Sequence, residues 1–139
     1  MKKVHWTEVA AAEVTEPGAE RIQIRWAVGD EDGAPNVALR VFDVEGGGHT
    51  PYHEHAWEHA VFVLEGEGSV RRPDGAEVPL GPGDVVYVPP GERHSFLNAG
   101  SETFRFICVI PSRGVCLATA PGGAASAREP RPEPPDGTR

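Results

Sequence analysis

Glycine and proline divide this chain into short segments, and this punctuation restricts the fold more than any other feature. The sequence contains 17 glycines and 14 prolines. Clusters at 46–48, 73–75 and 81–83 separate runs that are rich in β-branched and aromatic residues. Short runs of this kind, with turns roughly 8–12 residues apart, are typical of antiparallel sandwiches and barrels. We therefore predict an all-β fold.

Strands are predicted where apolar and polar residues alternate or where β-branched residues dominate. The segments are 21–28, 36–45, 59–65, 69–72, 76–80, 85–88, 93–97 and 103–110. Residues 66–68, with the sequence Gly-Glu-Gly, are predicted to form a hairpin-type turn. Residues 10–13 are predicted to form a short helical turn, which ends at the Glu-Pro-Gly of 16–18.

The length of 139 residues predicts one domain. We expect an N-terminal leader over 1–20, a single barrel over 21–117 and a flexible tail over 118–139. The tail is rich in Pro, Gly, Ala and charges, and such a composition buries too little apolar surface to offset chain entropy. Two cysteines, Cys108 and Cys116, do not make a disulfide framework, so we expect a reducing, cytoplasmic location.

The charge balance excludes some partners. A formal net charge of -8 repels phosphate backbones, which argues against nucleic acid and against an anionic membrane surface. No apolar run approaches the roughly 20 residues that a bilayer-spanning helix needs. Glu8 and Glu13 interrupt the apolar residues near the N-terminus, so no signal peptide is expected.

Histidines give the strongest chemical signal. His53, His55 and His59 lie within seven residues, and His94 follows a Pro-Pro-Gly turn. Alternate residues of a strand share a face, so His53 and His55 should project together, and His59 can face them if the chain folds back. Isolated histidines are usually ordinary surface or hydrogen-bonded residues. Burying four without a partner is costly, whereas neutral imidazoles are common ligands of divalent transition metals.

The spacing of these residues resembles the two motifs of the cupin superfamily. The first motif, G-x5-H-x-H-x3-E-x6-G, finds its matching residues at Gly47, His53, His55 and Gly66. The second, G-x5-P-x-G-x2-H-x3-N, finds its matching residues at Gly83, Pro89, Gly91, His94 and Asn98. The resemblance covers residues 36–111 and implies a cupin double-stranded β-helix, which is a jelly-roll barrel.

The sequence departs from the first motif at its glutamate, which is His59 here. The stretch HEHAWEHAVFVLEGEG resembles a subgroup of small single-domain cupins with four histidine ligands, commonly associated with manganese. The resemblance implies one divalent metal ion per chain, held by His53, His55, His59 and His94. Manganese is the first expectation. Iron, zinc, nickel and copper are alternatives, because imidazole selects weakly between metals.

Four neutral histidines would leave the site with a charge of about +2, against about +1 when one ligand is Glu. Such a centre should favour an anionic ligand. Alternation places Phe96 on the face of His94, and Phe106 and Cys108 on the uncharged face of their strand. These three residues are candidate walls of a substrate pocket, and ordinary core packing is an equal alternative. No acid or base is predicted inside, which argues against metal-assisted hydrolysis.

The first functional hypothesis is a metal-dependent oxidoreductase of dioxygenase type, which acts on a small organic substrate. A non-redox isomerase or lyase is one alternative, and a small-ligand-binding protein without catalysis is another. The fold alone does not decide between them. The resemblance also implies a homodimer, because cupins frequently pair through sheet edges.

Overall fold

The computed structural model describes residues 1–112 of the chain. These residues contain nine strands and two single 3₁₀ turns. The turns are Trp6–Glu8 and Asp30–Asp32. The strands are β1 (Ala12–Glu13), β2 (Glu20–Val28), β3 (Val37–His49), β4 (His59–Glu65), β5 (Gly68–Arg71), β6 (Glu77–Leu80), β7 (Val85–Val88), β8 (Ser95–Leu97) and β9 (Phe104–Pro111). The all-β prediction is confirmed, and each predicted strand lies within a few residues of an observed one.

The strands form one antiparallel sheet that curls on itself. Its order is β6-β5-β8-β3-β9-β4-β7, with β2 paired to β3 and β1 paired to β2. The 13 residues of β3 contact β9 through 37–44 and β8 at His49. The long strand therefore joins the two halves of a jelly-roll barrel and brings β8, β9 and β4 around one interior.

Alternation along the strands fills that interior. On β9, Phe104, Phe106, Cys108 and Ile110 are buried, whereas the residues between them are partly exposed. This is the inward face that the sequence predicts. Phe106 stacks on Phe42 at 5.2 Å between ring centroids and packs against Phe96 at 4.8 Å. The aromatic rings therefore form a continuous core beneath the histidines.

The prediction of a hairpin at 66–68 is wrong. β4 pairs with β7 and β9, whereas β5 pairs with β6 and β8, so this connection crosses between the two halves of the barrel. Gly66 has a φ of +74°, and a Cβ there would collide with the carbonyl oxygen of Thr103. Glycine is required for this close approach, not for a hairpin.

The predicted helical turn at 10–13 is also wrong. Residues Ala12–Glu13 are extended and pair with Ile24 and Gln23 of β2, because the strand edge offers them backbone partners. The leader over 1–20 thus contributes a strand to the sheet. Cys116, the predicted end of the barrel at 117 and the predicted tail over 118–139 lie outside the described residues. Neither of the helical turns in residues 1–112 has the length or hydropathy of a membrane-spanning segment.

Candidate metal centre

Three elements bring the histidines together. His53 and His94 form an isolated antiparallel bridge, in which the backbone N–H of each donates to the carbonyl of the other at 3.1 and 2.9 Å. His55 follows two residues after the bridge, and His59 is the first residue of β4. The bridge fixes His53 and His94 on adjacent segments, and the start of β4 places His59 beside the group.

His53, His55 and His94 form the tightest group. One ring nitrogen from each lies within 4.8 Å of the other two. The Nε2 atoms of His53 and His55 are 3.1 Å apart. Two adjacent ligands at about 2.1 Å from one ion, roughly at right angles, would be about 3 Å apart. The three imidazoles therefore converge as ligands of a single ion would.

His59 lies beside this group. Its ring centroid is 5.0 Å from that of His55 and 4.9 Å from that of His94. Its Nδ1 lies 3.2 Å from the sulfur of Cys108. Its Nε2 is buried and has no hydrogen-bond partner within residues 1–112. A buried ring nitrogen beside three other imidazoles is a fitting fourth ligand, because a cation would satisfy it.

Burial keeps two of these imidazoles neutral. It lowers the pKa of His59 well below the usual 6.5, and the charges of Arg40 and the neighbouring histidines add to this. Burial also lowers the pKa of His94 to about 4, despite the hydrogen bond to the Glu92 carbonyl, which favours the charged form. Neutral rings present the lone pairs that a metal needs, so the donor set fits a divalent transition metal.

Aromatic rings and one carboxylate surround the histidines. Trp57 is stacked on His55, with centroids 4.8 Å apart and planes 9° apart, and Phe96 meets His94 edge-on at 6.1 Å. An oxygen of Glu16 lies 3.6 Å from Nδ1 of His53. No sequence pattern pointed to Glu16, since it belongs to the leader segment and comes close to His53 only in the folded chain.

The interior also holds a charged side chain that was not predicted from the sequence, although a guanidinium is neither a general acid nor a base. Arg40 is 0% exposed and projects from β3 toward β9. Its Nη2 donates a hydrogen bond to the Cys108 sulfur at 3.0 Å. Its guanidinium lies 4.9 Å from the Phe42 ring centroid and 5.6 Å from that of Trp26, where the ring quadrupoles favour a cation. The inward position of Arg40 could have been predicted from alternation along β3, because Ala38 and Phe42 lie two residues away on the same face.

The three candidate pocket residues all face the interior. Phe96 and Phe106 pack within the hydrophobic core, and Cys108 lies between Arg40 and His59. Burial raises the pKa of the Cys108 thiol, and the Arg40 charge opposes this rise. A separate open groove of about 410 Å³ borders His94, and its walls combine Val70, Val78, Leu80, Val85, Val86 and Val88 with Arg71, Arg72 and Arg93.

Comparison with known proteins gives the same architecture. The family described as "Cupin domain" matches residues 40–110. The solved structure of the polyketide cyclase RemF from Streptomyces resistomycificus is 42% identical to this chain. The superposition has a TM-score of 0.77 and covers 80% of this chain and 79% of RemF.

Curated relatives match over shorter stretches. A glucose-6-phosphate isomerase of Thermococcus kodakarensis is 43% identical over 55 residues, which are 37% of this chain and 29% of that protein. An oxalate-binding protein of Thermotoga maritima is 39% identical over 59 residues, which are 42% of this chain and 48% of that protein. The chain thus spans less than half the length of these two curated relatives.

Proposed function

The chain belongs to the cupin family, and from this premise we propose that it is a metal-dependent enzyme acting on a small organic substrate. One divalent ion per chain is held by His53, His55, His59 and His94. The observation that carries the proposal is the buried, unpartnered Nε2 of His59 next to three converging imidazoles. In a protein that binds no metal, burying this nitrogen without a partner would cost free energy that no interaction offsets.

Manganese is the proposed ion, on the resemblance to four-histidine cupins, with iron, zinc, nickel or copper as alternatives. When bound, a divalent cation here supplies Lewis acidity toward a carbonyl or enolate oxygen. The four imidazoles hold it without adding negative charge. The Trp57 and Phe96 rings limit water around His55 and His94, and Arg40 adds positive charge nearby. Together these groups favour a substrate that becomes anionic as it reacts.

The proposed chemistry is a non-redox rearrangement of an enolisable carbonyl compound, such as ring closure of a chain that carries several ketones. The 42% identity to a polyketide cyclase over four-fifths of both chains supports it. The interior also supports it, because aromatic walls suit an apolar ring and Arg40 suits an oxygen anion. The groove that borders His94 offers a path of approach with valine-rich walls.

A dioxygenase is the second candidate. It is favoured by the donor set, because four protein ligands leave about two positions of a six-coordinate ion for substrate and dioxygen, and neutral imidazoles also suit iron and copper. Both candidates need the same metal site. They differ in whether dioxygen is consumed, and in whether zinc, which has no redox chemistry, supports turnover.

The test measures metal content and turnover together. Protein purified without chelators or a nickel column is analysed by plasma mass spectrometry, and the histidine variant His59→Ala is compared with His5→Ala, which removes an exposed histidine outside the cluster. We expect about one divalent ion per wild-type chain, retained in His5→Ala and strongly reduced in His59→Ala. No bound metal in the wild-type protein would overturn the proposal.

Turnover then separates the two chemistries. Metal-loaded protein is incubated with 1,3-diketones and aromatic polyketones, with and without air. Equal turnover in both atmospheres, also with zinc, is the expected result. Oxygen uptake that stops without air would replace the non-redox proposal with the dioxygenase.

We also propose that the protein is a cytoplasmic homodimer. Exposed apolar side chains on the outer face of β4 and β7, at Phe62, Val85 and Tyr87, give the dimer a candidate surface. Light scattering after size-exclusion chromatography measures the mass directly.

A further inference from the structure

We propose that Cys108, held in place by Arg40, is a positioning residue that accepts the Nδ1 hydrogen of His59 and so leaves His59 Nε2 free to bind the metal. The proposal deepens the proposed function, because it concerns how one ligand of that same metal site is oriented. It assigns Cys108 a specific task, which distinguishes it from a pocket wall or a core filler.

The three side chains come from neighbouring strands. Arg40 on β3 lies directly opposite Cys108 on β9, and β9 pairs on its other side with β4, which begins at His59. The Cys108 sulfur lies 3.0 Å from Arg40 Nη2 and 3.2 Å from His59 Nδ1. Arg40, His59 and Cys108 are 0%, 2% and 2% exposed, so these contacts form away from solvent.

The chemistry of the partners limits where the hydrogens lie. A guanidinium only donates hydrogen bonds, so the Cys108 sulfur accepts from Arg40. The neutral His59 ring carries one hydrogen, on either Nδ1 or Nε2. On Nε2 it would be a buried donor without a partner in residues 1–112, pointing toward other imidazoles. On Nδ1 it is donated to the sulfur, so that arrangement satisfies more groups.

His94 provides an internal comparison. Its Nδ1 lies 2.9 Å from the carbonyl oxygen of Glu92, an atom that can only accept a hydrogen bond. That contact places the hydrogen on Nδ1 and leaves Nε2 of His94 for a metal. Ligating histidines usually have their second nitrogen fixed in this way by an oxygen. His59 lacks such an oxygen contact in the described residues and has the sulfur of Cys108 in its place.

A thiol differs from a carbonyl because it can donate as well as accept. Donation from the thiol to Nδ1 would force the hydrogen of His59 onto Nε2 and block the ligand position. Arg40 Nη2 occupies one side of the sulfur and fixes its position. We assign the accepting arrangement because it alone leaves His59 Nε2 able to bind a cation. The hydrogen position on His59 is therefore the property to measure.

The test uses three variants at one position. Cys108→Ser keeps an acceptor, whereas Cys108→Val and Cys108→Ala remove it, the first with similar volume and the second with less crowding. Ile110→Val, on the same inward face of β9, is the matched control for a small change in packing. The ring hydrogen of His59 is located by ¹⁵N NMR in metal-free protein, and Mn²⁺ affinity is measured by competition with a chelator.

We expect His59 to carry its hydrogen on Nδ1 in the wild-type protein, in Ile110→Val and in Cys108→Ser. Cys108→Val and Cys108→Ala should move hydrogen onto Nε2 and weaken Mn²⁺ binding about 10–100-fold, the usual effect of losing a partner of a metal ligand. A structural role alone would alter thermal stability in both variants and leave the hydrogen on Nδ1.

Two outcomes overturn the inference. One is a wild-type His59 with its hydrogen on Nε2. The other is a folded Cys108→Ala or Cys108→Val protein with unchanged hydrogen position and unchanged Mn²⁺ affinity. Failure of the proposed function is separate, since it appears as a wild-type protein without metal affinity, and the NMR measurement needs no metal.

Discussion

The two faces of β3 and β9 handle buried charge in different ways. On the outer face, Asp43 accepts hydrogen bonds from Arg105 Nε at 2.6 Å and from Arg25 Nη1 at 2.9 Å. On the inner face, Arg40 and Cys108 lead to His59, whose Nε2 has no partner in residues 1–112. β3 and β9 thus carry on one face a carboxylate whose oxygens are both satisfied. On the other face they contact an imidazole of β4 whose Nε2 has no hydrogen-bond partner in residues 1–112.

The difference fits the proposal that the outer face stabilises the fold and that the inner face supports the metal site. Both oxygens of Asp43 accept hydrogen bonds from arginines, and the Arg105 guanidinium also lies 4.2 Å from the Trp6 ring centroid. The charges of this outer network are therefore satisfied by groups of the protein itself. The inner face contacts the buried Nε2-bearing ring of His59, and the proposed metal site would explain why this nitrogen has no hydrogen-bond partner in residues 1–112. Substitutions on the outer face should therefore alter stability without altering metal affinity.

The largest effect is expected for Asp43→Ala. The substitution leaves the guanidiniums of Arg25 and Arg105 close together without their carboxylate, and each of these side chains is less than one-fifth exposed. Removing one partner of such a pair costs about 3 kcal/mol of unfolding free energy. Urea unfolding at neutral pH measures this loss, and chelator competition on the folded variant should give unchanged Mn²⁺ affinity. A weakened Mn²⁺ affinity would mean that the two faces are coupled.

The Asp43 carboxylate should also make the free energy of unfolding depend on pH, an effect smaller than that of Asp43→Ala. Burial raises the pKa of Asp43, but hydrogen bonds and charges from Arg105 and Arg25 outweigh it, so the pKa lies below its usual 3.8. The folded chain then binds fewer protons than the unfolded chain. The stabilisation is complete above the unfolded pKa and is lost as the pH falls through it toward the folded value.

We therefore expect the wild-type protein to lose stability more steeply than Asp43→Asn as the pH falls below about 5. Urea unfolding at a series of acidic pH values, on metal-free protein, gives both curves. Asn keeps the side-chain shape and one oxygen acceptor but does not titrate. Parallel curves for the two proteins would show that the pKa of Asp43 does not differ between the folded and unfolded chains.

The strands of this fold were predictable because alternation is a local signal. The inward face of β9 follows from Phe104, Phe106 and Cys108 with no knowledge of its neighbours. The connection at 66–68 was not predictable in the same way. A Gly-Glu-Gly sequence permits a hairpin or a crossing equally, and only the approach of Thr103 to Gly66 distinguishes them. Which strands pair is decided by the whole sheet.

In the candidate site too, the residues with a local sequence pattern were predictable, whereas those placed by the tertiary fold were not. The sequence spacing led to His53, His55 and His94, which the structure brings together. His59 lies beside them, and its role as a ligand stays a prediction. The surroundings of these histidines were not predicted, because Glu16 comes from the leader, and a charged Arg40 is normally expected to face solvent. Arg40 lies two residues from Phe42 on β3, so alternation predicts an inward position, whereas the usual exposure of arginine predicts an outward one.

The smallest effect is expected for Glu65→Ala, which removes the other carboxylate of the outer network. Glu65 accepts a hydrogen bond from Arg105 Nη1 at 2.8 Å, but its side chain is 59% exposed, against 12% for Asp43. Solvent and salt weaken such a pair, so the loss should be about 0.5 kcal/mol and should disappear at about 1 M salt. Urea unfolding at low and high salt measures both values. A loss as large as that of Asp43→Ala would mean that Arg105 needs both carboxylates to hold its position, and that the exposed end of the network stabilises the fold as much as the buried end.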